Sequence, residues 1–556
     1  MEDSKLCLSD KFIETDDGCT ILLKLSETDP FFNQKKDLLN HKGFDVKEQI
    51  KLQSSSYPDS IATTLEKMLQ IGRIIHLDEV ELYFDDVDRC SSMECFSPRN
   101  EVEALNSILA IVNSSLYTKT QTKLSILQTL RDAILSRIDK LMEKCRVKTR
   151  IDRSYTCEKE KGLAVWGESN GVKSRLEIVY IEGAGRGTIA TNDLKVGDIA
   201  LEIPISIIIS EELVHQSDMY HLLENIDGIS SETMLLLWSM KERHNCNSKF
   251  KIYFDNLPKE FNTGLSFGVD AIMALDGTLL LEEIMQAKEH LRTQYDELVS
   301  SLCENYPDIF PPELYMWEQF LWACELWYSN SMKVMFLDGK LRTCLIPIAS
   351  FLNHSLHPHI VHYGKVDSLT NTLKFPLSRP CRIGEQCCLS YGNFSSSHLI
   401  TFYGFLPEGD NPYDVIPLDI DAGEAESIED CPVSSQTTHM VRGTWLSKNH
   451  SMFHYGLPSP LLELFRRARN ATERPKTFTQ SSFEIEMEVL EDLKSTFLNM
   501  MENLGDLDLL NRESAAWDVK LALEFKDLQG RILSSILSSC DSGLEMVQNE
   551  LAKCVA

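Results

Sequence analysis

Basic residues are scarce in this sequence relative to acidic ones: 55 lysines and arginines stand against 84 aspartates and glutamates, a formal charge of -29. A chain of that sign lacks the electropositive footprint that nucleic acid or an anionic bilayer requires, so neither is expected as a partner. Long apolar runs are missing as well. The stretch "IALEIPISIIIS" at 199–210 is too short for a bilayer span and is interrupted by Glu202 and Pro204. Cysteine is present but sparse, 16 in 556 residues. That is far below the density of a secreted disulfide scaffold, even with Cys387 and Cys388 adjacent, so reduced thiols in an intracellular compartment are expected. The acidic opening "MEDSKLCLSDKFIETDDG" resembles neither a signal peptide nor an Arg-rich transit peptide. Cytoplasm or nucleus is the expected location, with organelle import left open.

What is present is the composition of a folded chain, 43% apolar and 25% charged, long enough for two to four domains. Residues 1–155 start with polar, irregular stretches such as "QSSSYPDS" and then turn helical. Leu124, Leu127, Leu130, Ile134, Ile138 and Leu141 recur every three or four residues, one face of a long amphipathic helix. The basic "EKCRVKTRIDR" at 143–153 reads as a linker. From about 160 to 205 short β-branched runs alternate with turn signals "TND" and "VGD", the pattern of consecutive strands. Residues 210–330 read as helical, with Ser231 or Thr233 expected to cap "SETMLLLWSMKER". Strand-like sequence returns at 340–420. From 440 to 556 helical spacing is kept by Phe483, Met487, Leu490, Leu493, Phe497, Met501 and Leu504, then by Trp517, Leu521, Phe525, Leu528, Ile532 and Ile536. Two β segments divided by a helical insertion suggest one small β domain assembled from distant pieces.

Three short motifs carry chemistry. "IEGAGRGTIA" at 181–190 places Gly183, Gly185 and Gly187 between two apolar runs. A dinucleotide site needs G-x-G-x-x-G ahead of a helix; here the last position is Thr188 and a hairpin pattern follows, so that reading fails. Taken alone, the glycines mark only a tight β-turn. "SFLNHSLHPHIVHYG" at 350–364 gathers His354, His357, His359 and His362. Structural zinc sites combine Cys with His at loop spacings, and no cysteine lies in this stretch, so no metal is expected. "GEQCCLSYGNFSSSHLITFYGFLPEGDNPYDV" at 384–415 holds Tyr391-Gly392 and Tyr403-Gly404; core packing is the commoner fate of such phenols.

In this order, a glycine turn before a hairpin, "LNHS" after a helical insertion, and "LSYG…YGF", the three motifs resemble the SET-domain methyltransferases. The long insertion, "FKIYFDNLPKEFNTGLSFG" at 250–268, "EQFLWACELWYSNSM" at 318–332 and "NPYDV" at 411–415 are similar to the branch related to the plant Rubisco large-subunit lysine methyltransferase. The resemblance implies an α+β fold: a split β-rich SET core with a pseudoknot over 156–410, its helical insertion at about 210–330, and all-helical N- and C-terminal regions. Residues 411–556 resemble the family's substrate-binding domain, and 1–155 form an N-terminal helical extension without an assigned role. No cysteine cluster follows Tyr391 (Cys431 stands alone for about a hundred residues), so the zinc-binding post-SET segment of histone enzymes is missing.

By the same resemblance the cofactor is S-adenosyl-L-methionine, contacted by Gly185, Arg186, Gly187, Asn330, Asn353 and His354. Tyr391 matches the catalytic tyrosine and Tyr403 a second tyrosine lining the lysine channel. Met332 lies in that channel where a histidine-modifying sister branch has asparagine, which favours lysine as the acceptor. The implied activity is protein-lysine N-methylation of a non-histone protein bound through the C-terminal helical domain, by a monomer. The chain departs from the family pattern at three places: Asn330 replaces an arginine that contacts the cofactor carboxylate, Ser350 an aspartate, and Ala184 a glutamate. Asn330 and Ser350 support an alternative, a catalytically weak or silent SET-like protein that binds partners; Lys333 is the candidate cation to stand in for the missing arginine in the enzyme reading.

Overall fold

The computed structural model describes residues 14–15, 18–53, 58–85, 97–116, 121–145, 148–419, 438–469, 479–505, 512 and 514–555. Near the N-terminus the strands Gly18–Lys24 and Lys47–Gln53 pair antiparallel with Ile21 opposite Ile50. Their period-two pattern turns Ile21, Leu23, Ile50 and Leu52 inward, where they are buried. Helices Pro58–Ile75, Pro98–Leu116 and Gln121–Lys144 pack together with this sheet. On the last, Leu127, Leu130, Ile134 and Ile138 are fully buried, the face expected from their spacing. The all-helical expectation for this region is corrected by the sheet: "CTILLK" alternates too briefly to stand out from the helical sequence that follows it. Two ion pairs are sealed in its interior, Lys35–Asp29 at 2.7 Å and Arg73–Glu101 at 2.6 Å.

The central region is built from small antiparallel sheets. Leu176–Ile181 and Gly185–Ala190 form a hairpin with Ile181 opposite Gly185. Ile199–Pro204 pairs with Thr372–Pro376 across 170 residues of chain, and Ser331–Met335 with Leu341–Leu345. Between the first and second β segments lies the helical insertion, from Glu211–His215 to Trp317–Asn330. Its Ser231–Glu242 helix is capped by Ser230, whose Oγ accepts from Thr233 N at 3.1 Å. The cap falls one residue before the expected Ser231 because Ser230 is the last residue with extended backbone, φ -86° and ψ 156°. The core is continuous through all these pieces, from Leu163 to Leu389. That delivers the α+β architecture expected from the sequence.

Segment 387–390 is threaded. Leu389 bridges in parallel to His354 on one side and to Ile360 on the other. Leu389 N donates to Asn353 O (2.9 Å), Ser355 N to Leu389 O (3.2 Å) and Ser390 N to Ile360 O (3.2 Å). The loop 353–360 thus embraces the stretch leading to Tyr391, an exception to the rule that chains do not pass through their own loops.

Beyond the core, Val415–Asp419 pairs with Thr438–Arg442, a second correction to an all-helical terminal region. Cys431 lies outside the described residues. Helices Gln480–Leu504 and Trp517–Val555 then pack along each other, burying Phe483, Leu490, Leu493, Phe497, Ile532 and Ile536. Among the described residues no helix is long and apolar enough to cross a membrane.

The N-terminal unit touches both others. Asp78, capping the short helix Glu79–Tyr83, accepts from Asn393 Nδ2 at 2.9 Å and from Tyr413 Oη at 2.8 Å. Tyr83 Oη meets His439 Nδ1 at 3.1 Å, and the Arg442 guanidinium lies 4.1 Å from the Phe84 ring centroid.

Candidate active site

The site begins at the glycine hairpin. Gly183 and Gly185 adopt φ 77° and 67°, left-handed backbone that side chains with a Cβ rarely tolerate. Gly187 serves a different purpose: a Cβ there would stand 2.6 Å from Ile181 Cδ1 and 2.7 Å from Asn353 Nδ2. Only glycine lets Asn353 approach, and its Nδ2 donates to Arg186 O at 3.1 Å. The Arg186 guanidinium lies 5.0 Å from the Phe351 centroid, is 3.4 Å from Glu160, and donates to Asn256 O.

The second strand of the pseudoknot brings in the phenols. Tyr391 N donates to His354 Nδ1 at 3.1 Å, and Tyr391 Oη to Leu352 O at 3.1 Å. An imidazole that accepts at Nδ1 carries its proton on Nε2. Burial depresses the His354 pKa to about 4, so the ring is neutral at physiological pH. The Tyr403 ring stacks on Tyr391, centroids 4.8 Å apart and planes 27° apart. Burial raises both phenols, Tyr403 to about 12 and Tyr391 further, so both stay protonated. Gly404 ends the Ser396–Tyr403 helix at φ 76°, and a Cβ there would collide with Asn262 O. The "YG" at 403–404 is therefore a left-handed helix cap that aims Tyr403 toward Tyr391.

The structure thus brings together Gly185, Arg186, Gly187, Asn353, His354, Tyr391 and Tyr403. Met332, on the Ser331–Met335 strand, is buried in the same core. Asn330 ends the preceding helix, and its amide donates to Ser329 Oγ at 2.7 Å. Lys333 turns to the surface, to Thr343 at 2.6 Å and Glu232 at 3.1 Å. Ser350 Oγ and Tyr253 Oη are buried and approach each other without the geometry of a full hydrogen bond; Asn256 Oδ1 is likewise unsatisfied. Ile348, β-branched yet at φ 72°, marks a strained turn just ahead of Ser350.

Sequence reasoning missed several neighbours. Phe405 is edge-on to both Tyr391 and Tyr403, and Phe394 stacks on His398 at 4.1 Å beside Tyr403. Phe405 stands next to the "YG" signal and was within reach. Tyr253, Asn256 and Glu160 were not, because only folding places the 158–169 and 251–256 helices over Arg186.

A split SET-type core with these residues at its pseudoknot defines a class, and comparison with solved structures agrees. The SET domain of LSMT bound to lysine and AdoHcy superposes with a TM-score of 0.54 at 16% identity, covering 70% of this chain and 93% of that one. LSMT bound to AdoMet gives 0.51 at 17% identity with the same coverage. The SET fold expected from the sequence is therefore present. Among curated proteins, the Rubisco large subunit N-methyltransferase of Nicotiana tabacum is 23% identical over 251 residues, 44% of this chain and 49% of that protein. The fructose-bisphosphate aldolase-lysine N-methyltransferase of Arabidopsis thaliana is 24% identical over 250 residues, 43% and 50% of the two. Actin-histidine N-methyltransferase of Canis lupus familiaris is 22% identical over 302 residues, 52% and 50%. The chain spans about half the length of these relatives. A family model for the Rubisco LSMT substrate-binding domain matches residues 26–149. That match falls on the segment to which the sequence reading gives no role. The likeness to the Rubisco methyltransferase branch, read from the motif order, the long insertion and the stretches at 250–268, 318–332 and 411–415, is borne out.

Proposed function

We propose that the chain is an S-adenosylmethionine-dependent protein-lysine N-methyltransferase acting on a non-histone protein. The observation that carries this reading is the meeting of Gly185–Gly187, Asn353–His354 and the stacked pair Tyr391 and Tyr403 at one pseudoknot. The fit to the cofactor rests on the open space at Gly185, where a Cβ would meet nothing within 4 Å, and on the buried polar atoms of Ser350, Tyr253 and Asn256 that lack a hydrogen-bond partner. When bound, the cofactor supplies an electrophilic methyl on sulfonium. Gly185, Arg186, Gly187, Asn353 and His354 are the groups that hold it.

The chain's own contribution is to make a lysine amine neutral and to aim it. At pH 7 a free lysine needs about 4–5 kcal/mol to lose its proton, given a pKa near 10.4. An aromatic, desolvated surround of Tyr391, Tyr403 and Phe405 disfavours the ammonium and lowers that cost. The phenols, held protonated, act as hydrogen-bonding positioners rather than bases. Neutral His354 fixes the Tyr391 backbone. Met332, apolar, favours lysine over histidine as the acceptor.

For the protein substrate, the sequence reading assigns docking to 411–556, and the family-model match supports 26–149 as well. Asp78–Asn393 ties the first to the Tyr391 segment and Tyr83–His439 ties the two to each other, so we propose a shared docking surface on a monomer. Buried thiols such as Cys324 and Cys344 suit a reducing compartment, and cytoplasm or nucleus is proposed, organelle import being open to fractionation. The test is incubation with labelled cofactor and cell lysate. Label should reach a discrete protein with wild type and be lost at least a hundredfold with Tyr391→Phe; equal labelling by both ends the assignment.

A second reading, a silent partner-binding module, is favoured by one observation: neither Asn330 nor Ser350 offers a charge, and Lys333 is engaged elsewhere. Calorimetry separates the two. Cofactor binding in the micromolar range supports the enzyme, and none at millimolar concentration supports the module.

A further inference from the structure

One cluster of metal-ligating side chains in the main core has no part in methyl transfer. His359, Cys381 and Cys387 each bring a ligand atom to within 4.8 Å of the other two, and all three are buried. The sequence reading set zinc aside because no cysteine lies among the histidines of 350–364. Folding supplies two from elsewhere.

The three side chains come from separate stretches whose backbones are pinned. His359 N donates to Cys388 O at 2.9 Å, Cys381 N to Leu194 O at 3.0 Å, and Cys387 N to Thr188 O at 2.8 Å. The side-chain contacts are looser. His359 Nδ1 accepts from Cys388 N at 3.2 Å, Nε2 lies 3.4 Å from Glu385 Oε1, and Cys381 Sγ is 3.7 Å from Glu385 O. Both imidazole contacts sit at the long end of the hydrogen-bond range, so either ring nitrogen is free to be exchanged for a stronger bond.

From these positions we propose that His359, Cys381 and Cys387 bind a soft divalent cation of the zinc class, as a structural site that staples the pseudoknot. Metal–ligand bonds of about 2.3 Å to sulfur and about 2.0 Å to nitrogen set tetrahedral ligand atoms roughly 3.5–3.8 Å apart. Small side-chain rotations reach that from the observed triangle. Thiolate and imidazole ligands select zinc over magnesium or calcium. Glu385, whose Oε1 lies 3.4 Å from His359 Nε2 but outside the triangle of the other three, would turn inward to give the fourth, anionic donor. Charge then closes on itself: two thiolates and one carboxylate balance the dication together with Arg379, whose Nη1 is 3.4 Å from Glu385 Oε1. A neutral assembly is what burial requires. On binding, each thiol releases its proton to solvent.

The consequence is mechanical. Cys387 lies two residues before Leu389, the threaded residue, and four before Tyr391. A cation held between it, the 378–382 turn and His359 would fix the thread against the loop that embraces it.

The test uses the full chain, purified under reducing conditions from zinc-supplemented cells. Elemental analysis should find about one zinc per chain. After removal by a chelator, Co2+ should restore the thiolate-to-cobalt charge-transfer band and the intense d–d bands of tetrahedral cobalt. Both signals should vanish in Cys381→Ser and Cys387→Ser and persist in the exposed Cys246→Ser. Should the two core variants fail to fold, the wild type alone decides. Zinc-free protein from metal-replete, reducing preparation, with no cobalt charge-transfer band, overturns the proposal. So does a Cys381–Cys387 disulfide in that same preparation.

Discussion

Glycine 187 shows how much one hydrogen atom in place of a methyl can decide. A Cβ there meets Ile181 and the Asn353 amide at under 3 Å, so Gly187→Ala must push Asn353 off Arg186 O. The expected outcome is a loss of at least tenfold in cofactor affinity by calorimetry, with a fall in stability of about 1–3 kcal/mol from the strained contact. Gly404→Ala should cost more stability, because the backbone is left-handed and the obstructing atom is the Asn262 carbonyl of the main chain rather than a side-chain end. Chemical denaturation measures both. An undiminished midpoint in Gly404→Ala would contradict the geometry of that cap. Tyr403→Phe, by contrast, should fold normally and lower turnover, because its hydroxyl serves the channel while its ring keeps the stack on Tyr391.

The elements that hold these residues are tied by a few polar links. Asp78 is the most exposed to test: its carboxylate caps the 79–83 helix, takes Asn393 and Tyr413, and lies 3.2 Å from Arg99. Asp78→Ala removes the cap and leaves Tyr413 and Asn393 unpaired, so a loss of about 2–4 kcal/mol is expected from capping and unsatisfied bonds together. Hydrogen exchange should then quicken at 391–394 as well as at 79–83. Protection unchanged at 391–394 would show that the N-terminal unit does not brace the Tyr391 segment. In the C-terminal helices, the buried Arg466–Glu486 pair, which Tyr455 Oη joins at 3.0 Å, should behave as a unit. Glu486→Ala strands a buried guanidinium and is expected to cost about 3–5 kcal/mol, far more than Lys494→Ala at the surface.

Across the whole molecule, pH acts through groups whose protonation folding has changed. Burial lowers the His354 pKa to about 4 from its ordinary 6.5. The unfolded chain therefore binds a proton there that the folded chain refuses, and stability rises with pH over that interval. The contribution, up to about 3 kcal/mol, is complete above pH 6.5 and is lost as pH falls toward 4. Burial pushes Glu385 up, but hydrogen bonds from His359 and the Arg382 N–H and the charges around it hold it down to about 2, which in the metal-free protein adds a loss below about 4.5. Asp414 opposes them: burial raises it to about 6, so it destabilises above its ordinary 3.8 and less so in acid. Thermal melts from pH 7 to 4 should fall, and His354→Gln should flatten the slope between 6.5 and 4.

The order of elements, the α+β class and the three motif segments were legible in the sequence because each rests on local periodicity or on a short run of fixed residue types. "GAGRG", "LNHS" and "LSYG" are contiguous, and their order survives any packing. Brief or non-contiguous signals were not legible. The Gly18–Lys24 strand was hidden by the helices around it, the Ser230 cap by neighbours of equal capping ability, and the 26–149 family match by sequence too divergent to read by eye.

Taken alone, then, the sequence determined what kinds of groups the chain carries and the order in which they come: acidic surface, free thiols, a glycine hairpin, an Asn-His pair, two Tyr-Gly pairs. Only tertiary structure decided which of them meet. Threading 387–390 through 353–360 set Tyr391 on His354, closed Asn353 over Gly187, and carried Cys381 and Cys387 to His359. The reason is physical: covalent order constrains neighbours in the chain, while contacts across 170 residues are fixed by burial and by pairing of backbone polar groups that no local pattern records.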